Sequence, residues 1–194
     1  PSIKNFLPNP NTLLDMEKSS LRTLKAISNK EKIGVFGDYD VDGATSTALL
    51  GRYFDELKLN YEIYIPDRKT EGYGPSIKAF KQLIDNNVKI IFTVDCGTLS
   101  FEAIDYAKKM NIDVIVLDHH QSEINLPNAY SVINPNRIDD KSNLQYLCAA
   151  GVAFMFLVSI NKHLRLNDWF NKNLIEEPNL INYLDLVSLG TVCD

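Results

Sequence analysis

At 194 residues, with 45% hydrophobic and 23% charged side chains, the chain can bury a core and has the balance of a soluble globular protein. A net charge of −5 argues against a broad basic nucleic-acid footprint, and no apolar run reaches the ~18 residues of a membrane span. Three scattered cysteines, Cys96, Cys148 and Cys193, exclude a disulfide framework and a Cys/His zinc spacing, and fit a reducing, cytoplasmic setting.

Residues 1–12 hold three prolines and three asparagines and read as an irregular lead-in. Leu13 to Ile27 carries apolar residues at Leu14, Leu21, Leu24 and Ile27, the spacing of an amphipathic helix. Strand signals then fall at 32–37, 61–65, 89–94, 113–117 and 130–133, with helical patterns at 44–58, 76–86 and 100–110. That alternation predicts βαβ units and a parallel sheet with right-handed crossovers. Val88 to Val94 and Val114 to Leu117 are nearly all apolar, as strands covered on both faces are. After Asn134-Pro135-Asn136 the rhythm changes: a polar loop over 137–143, a long apolar helix from Tyr146 to Leu166, a polar stretch with Pro178, and a second helix from Leu180 to Val192. His163, between Lys162 and Arg165, reads as solvated. The expected fold is α/β: a parallel sheet of about five strands with helices on both faces, followed by a mostly helical C-terminal segment. Residues 1–30 form the lead-in and first helix, 31–135 the βα core and 136–194 the helical part. Beginning at Pro1 and ending at Asp194 after a helical pattern, the chain reads as a piece of a longer protein whose later domains are missing.

In a sheet of this kind, ligands gather beyond the carboxyl ends of the strands. The first strand exits into Gly37-Asp38-Tyr39-Asp40-Val41-Asp42-Gly43, which crowds three carboxylates into five residues. Like charges that close repel by several kcal/mol at low effective dielectric, so a cation is expected among them, and oxygen ligands suit Mg²⁺ or Mn²⁺. An EF-hand is excluded: its twelfth position, a glutamate, is Leu49 here, and a strand stands where its first helix belongs. The second strand exits into Pro66-Asp67-Arg68-Lys69-Thr70-Glu71-Gly72-Tyr73-Gly74, where the planar guanidinium of Arg68 suits phosphate recognition. The third exits into Asp95-Cys96-Gly97 and the fourth into Asp118-His119-His120, where neutral imidazole is a common transition-metal ligand.

These stretches, with Gly190-Thr191-Val192-Cys193-Asp194 at the end, resemble in order the four motifs of the DHH phosphoesterase superfamily. The 66–74 loop and Asn134-Pro135 resemble its RecJ-type single-stranded-DNA exonucleases in particular. The resemblance implies a two-metal phosphodiesterase using Mn²⁺ or Mg²⁺. Asp40 and Asp42 would each hold one ion, Asp95 would bridge both, and His119 and Asp194 would complete the ligands of the second ion. Asp38 would be a ligand or a partner of one. His120 would face the scissile phosphate as a catalytic residue beside Asp95, and Arg68 would anchor the 5′-terminal phosphate. The implied reaction is 5′-to-3′ exonuclease action on single-stranded DNA in repair and recombination, with a repair helicase or a single-strand-binding protein as partner and no membrane. Rival readings are a related oligoribonuclease, cyclic-dinucleotide phosphodiesterase or pyrophosphatase, and a Mg²⁺-binding receiver-like or inactive structural domain. A receiver needs a lysine at the end of its fifth strand, where this chain has Asn134-Pro135-Asn136. Two positions depart from the family pattern. Phe36 stands where many members place a metal-binding histidine, so Asp38 or water would take that coordination place, and Cys193 stands where a small alanine is usual.

Overall fold

The computed structural model describes residues 6–194, so the first five residues of the expected lead-in lie outside it. Five strands, β1 (Ile33–Gly37), β2 (Tyr61–Tyr64), β3 (Ile90–Val94), β4 (Asp113–Leu117) and β5 (Ser131–Ile133), form one sheet in the order β2-β1-β3-β4-β5. Every neighbouring pair is parallel. Helices α1 (Met16–Ser28), α2 (Val41–Glu56) and α5 (Ala149–Leu166) cover one face, and α3 (Ile77–Asp85) and α4 (Phe101–Lys109) the other. The strand period of two decides the partition: Val35, Phe92 and Ile115 join the first core, while Phe36, Ile91 and Val116 join the second.

All four helices that lead into a strand end the same way. Lys30, Lys58, Asn87 and Asn111 follow α1 to α4 with φ between 54° and 67°. One residue further on, the amides of Glu31, Leu59, Val88 and Ile112 donate to the carbonyls of Ala26, Phe54, Leu83 and Ala107. This left-handed cap closes the last turn and aims the chain back into the sheet.

The strands lie within a residue or two of their predicted spans. The first crossover helix differs: α2 starts at Val41, three residues before the predicted start, because Asp40 accepts a hydrogen bond from Gly43 N (2.9 Å) and acts as its N-cap. The acidic run is therefore partly helical, with Asp42 in the first turn. A short helix, α6 (Trp169–Asn173), occupies the stretch read as polar, and the last predicted helix splits into a 3₁₀ turn at Leu180–Tyr183 and α7 (Leu184–Cys193). His163 is not solvated. Its side chain is only 12% exposed and its Nε2 lies 3.2 Å from Glu17 Oε2, which α1 brings alongside α5.

The residues just before α1 are tied to the sheet edge. Asp15, at φ 62°, accepts from Val132 N at 3.0 Å and from Arg137 Nη1 at 2.9 Å. Asp140 in turn accepts from Leu14 N (3.1 Å), so residues 13–15 and the 137–140 loop brace β5 together. Among the described residues no helix is long and apolar enough to cross a membrane.

Candidate metal centre

The strand order reverses between β1 and β3, and a parallel sheet opens a crevice at such a point. Asp38 follows β1 and Asp95 follows β3, so the topology delivers one carboxylate from each side of the crevice. Asp40 and Asp42 enter with the first turn of α2. His119 and His120 arrive from the end of β4, and Asp194 from the end of α7. Among the described residues, three groups place ligand atoms within 4.8 Å of one another: Asp38, Asp40 and Asp95; Asp42, His119 and Asp194; and Asp95, His119 and His120. The sequence-predicted ligands thus converge on one place, with Asp95 shared between two groups.

Asp95 is 1% exposed, and neither of its carboxylate oxygens has a hydrogen-bond partner. His119 Nε2, also without a partner, lies 3.2 Å from Asp95 Oδ1, close in distance but not aligned for a hydrogen bond, and 3.6 Å from Asp42 Oδ2. Buried polar atoms are almost always paired, so three orphans aimed at one point mark a place built for something else. Burial, reinforced by the charges of Asp42 and Asp40, pushes the Asp95 carboxyl up to about 7 against the opposing pull of His119. Burial also raises Asp38. Asp95 holds φ 60°, the left-handed region, a strain that persists where the surroundings enforce it. The donor set of carboxylate oxygens with an imidazole fits Mn²⁺ or Mg²⁺.

Asp42 is fixed differently. Its Oδ2 accepts from Ala149 N at 2.6 Å and its Oδ1 from Ala150 N at 2.9 Å, the first amides of α5, whose N-terminus favours an anion. Asp194 is 39% exposed, with Oδ2 3.7 Å from His119 Nδ1. Phe36 cannot serve as a ligand: its ring points into the opposite core, stacked on Tyr64 at 5.6 Å and edge-on to Phe80.

His120 is held from both sides. Its Nδ1 lies 2.7 Å from Asp118 Oδ1, and its Nε2 lies 3.3 Å from the Tyr73 hydroxyl. The Tyr73 proton goes to the Asp95 carbonyl (3.3 Å), which leaves a lone pair facing Nε2. The hydrogen bond to Asp118 raises His120 to about 9 against its burial. Burial would push Asp118 up, but the hydrogen bonds and charge of His120, with Thr98, outweigh it and hold the carboxyl at about 2. Because Nδ1 is taken by Asp118, Nε2 is the nitrogen free to turn outward. It borders a cleft of about 650 Å³ lined by Tyr73, Pro75, Leu99 and Phe101.

Arg68 lies at the rim, its guanidinium 5.3 Å from the Tyr39 ring centroid. Sequence reasoning gave no role to Asp118, Tyr73, Asn134 and Asn136. Asn134 is fully buried and donates to Thr98 Oγ1 and the His120 carbonyl, both at 2.9 Å, and Asn136 donates to the His119 carbonyl. The only outward sign was an aspartate directly before two histidines and an Asn-Pro-Asn at a strand end.

Residues 32–191 match the model of the DHH family, N-terminal domain. The chain is 38% identical over all 194 residues to the single-stranded-DNA-specific exonuclease RecJ of Escherichia coli (strain K12), of which it spans 33%. It is 33% identical over 185 residues to RecJ of Bacillus subtilis (strain 168), of which it spans 22%. Among solved structures, exonuclease RecJ bound to manganese superposes with a TM-score of 0.79 at 28% identity, covering 93% of this chain and 43% of that one. RecJ of Thermus thermophilus in complex with Mn²⁺ gives 0.73 at 26% identity, covering 93% of this chain and 24% of that one. The chain spans about a third or less of these curated relatives. By its motifs, its fold and a family match over most of its length, the chain belongs to the DHH family and carries that family's N-terminal domain.

Proposed function

We propose that residues 1–194 form one phosphoesterase domain that hydrolyses single-stranded DNA from its 5′ end with two Mn²⁺ or Mg²⁺ ions, in a cytoplasmic repair or recombination setting. The observation that carries this reading is the pair of orphaned Asp95 oxygens, buried between the aspartates of α2 and His119. The chemistry that two divalent ions would supply there is a water of lowered pKa and neutralisation of charge on the attacking and leaving oxygens. Asp40 and Asp42 would each hold one ion and Asp95 both, with Asp38 beside the first and His119 and Asp194 beside the second. His120 would donate through Nε2 to a non-bridging phosphate oxygen in place of its contact with the Tyr73 hydroxyl and stabilise the growing charge. The cleft next to Nε2 leaves room for the end of a strand.

Degradation of 5′-labelled single- and double-stranded DNA, with each metal in turn, tests the reading. Release of mononucleotides from the single strand alone supports it. Preferential hydrolysis of short oligoribonucleotides, cyclic dinucleotides or pyrophosphate would replace it. Because the relatives are longer, helicase and single-strand-binding partners belong to the same proposal and are tested by pull-down with the DNA present.

Arg68 supplies polarity in this reading, since its guanidinium is exposed at the rim and already braced by Tyr39. Arg68→Ala weakens binding of 5′-phosphorylated ends by about 1.5–3 kcal/mol, one charge-assisted contact, and barely alters 5′-hydroxyl ends. Equal weakening of both kinds of end, measured by fluorescence anisotropy, would make Arg68 a general backbone contact.

A further inference from the structure

We propose that Asp118 is the positioning residue of the site: it grips the His120 ring by Nδ1 and so keeps Nε2, rather than a ring carbon, turned toward the substrate. The proposal rests on the reading of His120 as a phosphate donor and adds how that donor is aimed. Asp118 is buried at 1% exposure. Its Oδ1 accepts from His119 N (2.8 Å), His120 N (3.2 Å) and His120 Nδ1 (2.7 Å), and its Oδ2 accepts from Thr98 N (3.0 Å). Both oxygens are therefore occupied by donors. Asp118 contributes no ligand atom to any of the three metal-sized groups, although it directly precedes His119.

The three bonds to Oδ1 fix the ring and the backbone that carries it as one unit. An imidazole on a single χ2 axis otherwise turns over, which would put Cδ2 in the place of Nδ1 and Cε1 in the place of Nε2 at the mouth of the cleft. The bond to Thr98 ties this unit to the end of β3, where Asp95 sits. Asn134 closes the frame, donating to Thr98 Oγ1 and to the His120 carbonyl. Tyr73, by contrast, is 58% exposed on a loop between two positive-φ glycines, Gly72 and Gly74. The two contacts on the ring are thus unequal: the one on Nδ1 is buried and permanent, and the one on Nε2 is peripheral and open to exchange for a phosphate oxygen.

Two measurements test this. In the metal-free protein, long-range ¹H–¹⁵N spectra of the three histidines are expected to show a sheltered Nδ1–H on His120 that Asp118→Ala removes. In hydrolysis assays, Asp118→Ala is expected to lower kcat about 10²-fold with KM within about threefold, the scale of a misplaced reacting group. Asp118→Asn, which keeps an oxygen facing Nδ1, recovers at least about tenfold of that loss. In a His120→Ala background the Asp118→Ala change costs under about twofold, because a residue acting through His120 has nothing left to aim. Losses that add in the double variant would overturn the proposal. So would a His120 Nδ1 in the wild-type spectrum that exchanges freely with water, a result that needs no folded variant. Full activity in His120→Ala would overturn the phosphate-donor reading instead, while the Nδ1 signal still decides the clamp.

Discussion

Asp95→Asn abolishes two-ion binding and lowers hydrolysis by about a thousandfold or more, roughly 4 kcal/mol of barrier, yet raises the melting temperature of the metal-free protein. Function and stability part here because Asp95 belongs to two of the ligand groups and satisfies neither of its oxygens within the protein. An amide keeps the shape, tolerates φ 60° and removes one negative charge from the neighbourhood of Asp40 and Asp42. The gain should be about 1 kcal/mol, or roughly 2–4 °C for a domain of this size. Asp95→Ala loses the same activity without the full gain, since alanine loses about 1–2 kcal/mol in the left-handed region. Isothermal titration with Mn²⁺ and melting in EDTA check both halves. Retention of a tenth of wild-type activity would remove Asp95 from the site, and a lower melting temperature for Asp95→Asn would show that the carboxylate is not strained.

Gly190→Ala destabilises the fold by about 1–3 kcal/mol, the usual cost of overpacking, and loosens the ion held through Asp42. A Cβ at Gly190 would lie 2.7 Å from Ala150 Cβ, 2.8 Å from Asp42 Oδ1 and 2.9 Å from Thr45 Oγ1. Relief requires α7 to back away from α2 and α5, which withdraws Asp194, or Asp42 to turn off the α5 amides. Gly51→Ala is the matched control. That glycine lies inside α2, its Cβ would meet nothing nearer than 3.4 Å, and the change should stabilise by about 0.5–1 kcal/mol. Urea melts and Mn²⁺ titration of both variants settle it: equal stability for the two would mean that α7 is not packed as described.

The sheet was legible because its central strands are apolar on both faces and the first four strands end in polar residues at their exits. The convergence of the candidate residues was legible for the same reason, since the sheet brings its successive strand exits to one edge. What stayed hidden depends on contacts distant in sequence. Asn134 meets Thr98 across 36 positions and Ala149 meets Asp42 across 107, and no local pattern announces either pairing. The start of α2 was hidden by ambiguity of a different kind. Asp40 is at once a candidate ligand and an N-cap, and a reading that sends it to the metal does not look for the helix it begins. Lys30 and Lys58 show a third limit, because lysine carries no turn signal and adopts the left-handed cap only when the following strand demands it.

With Asp42 as the proposed ligand, its seating on the first two amides of α5 would make ion affinity and helix packing a single linked equilibrium. A carboxylate already oriented by a helix terminus loses little freedom when a cation arrives, so part of the binding free energy is stored beforehand in the α2–α5 contact. Linkage is reciprocal: whatever tightens the ion must tighten that contact by the same amount. On that proposal the helical part after residue 136 lies thermodynamically inside the centre, although its α5 contributes only backbone to it.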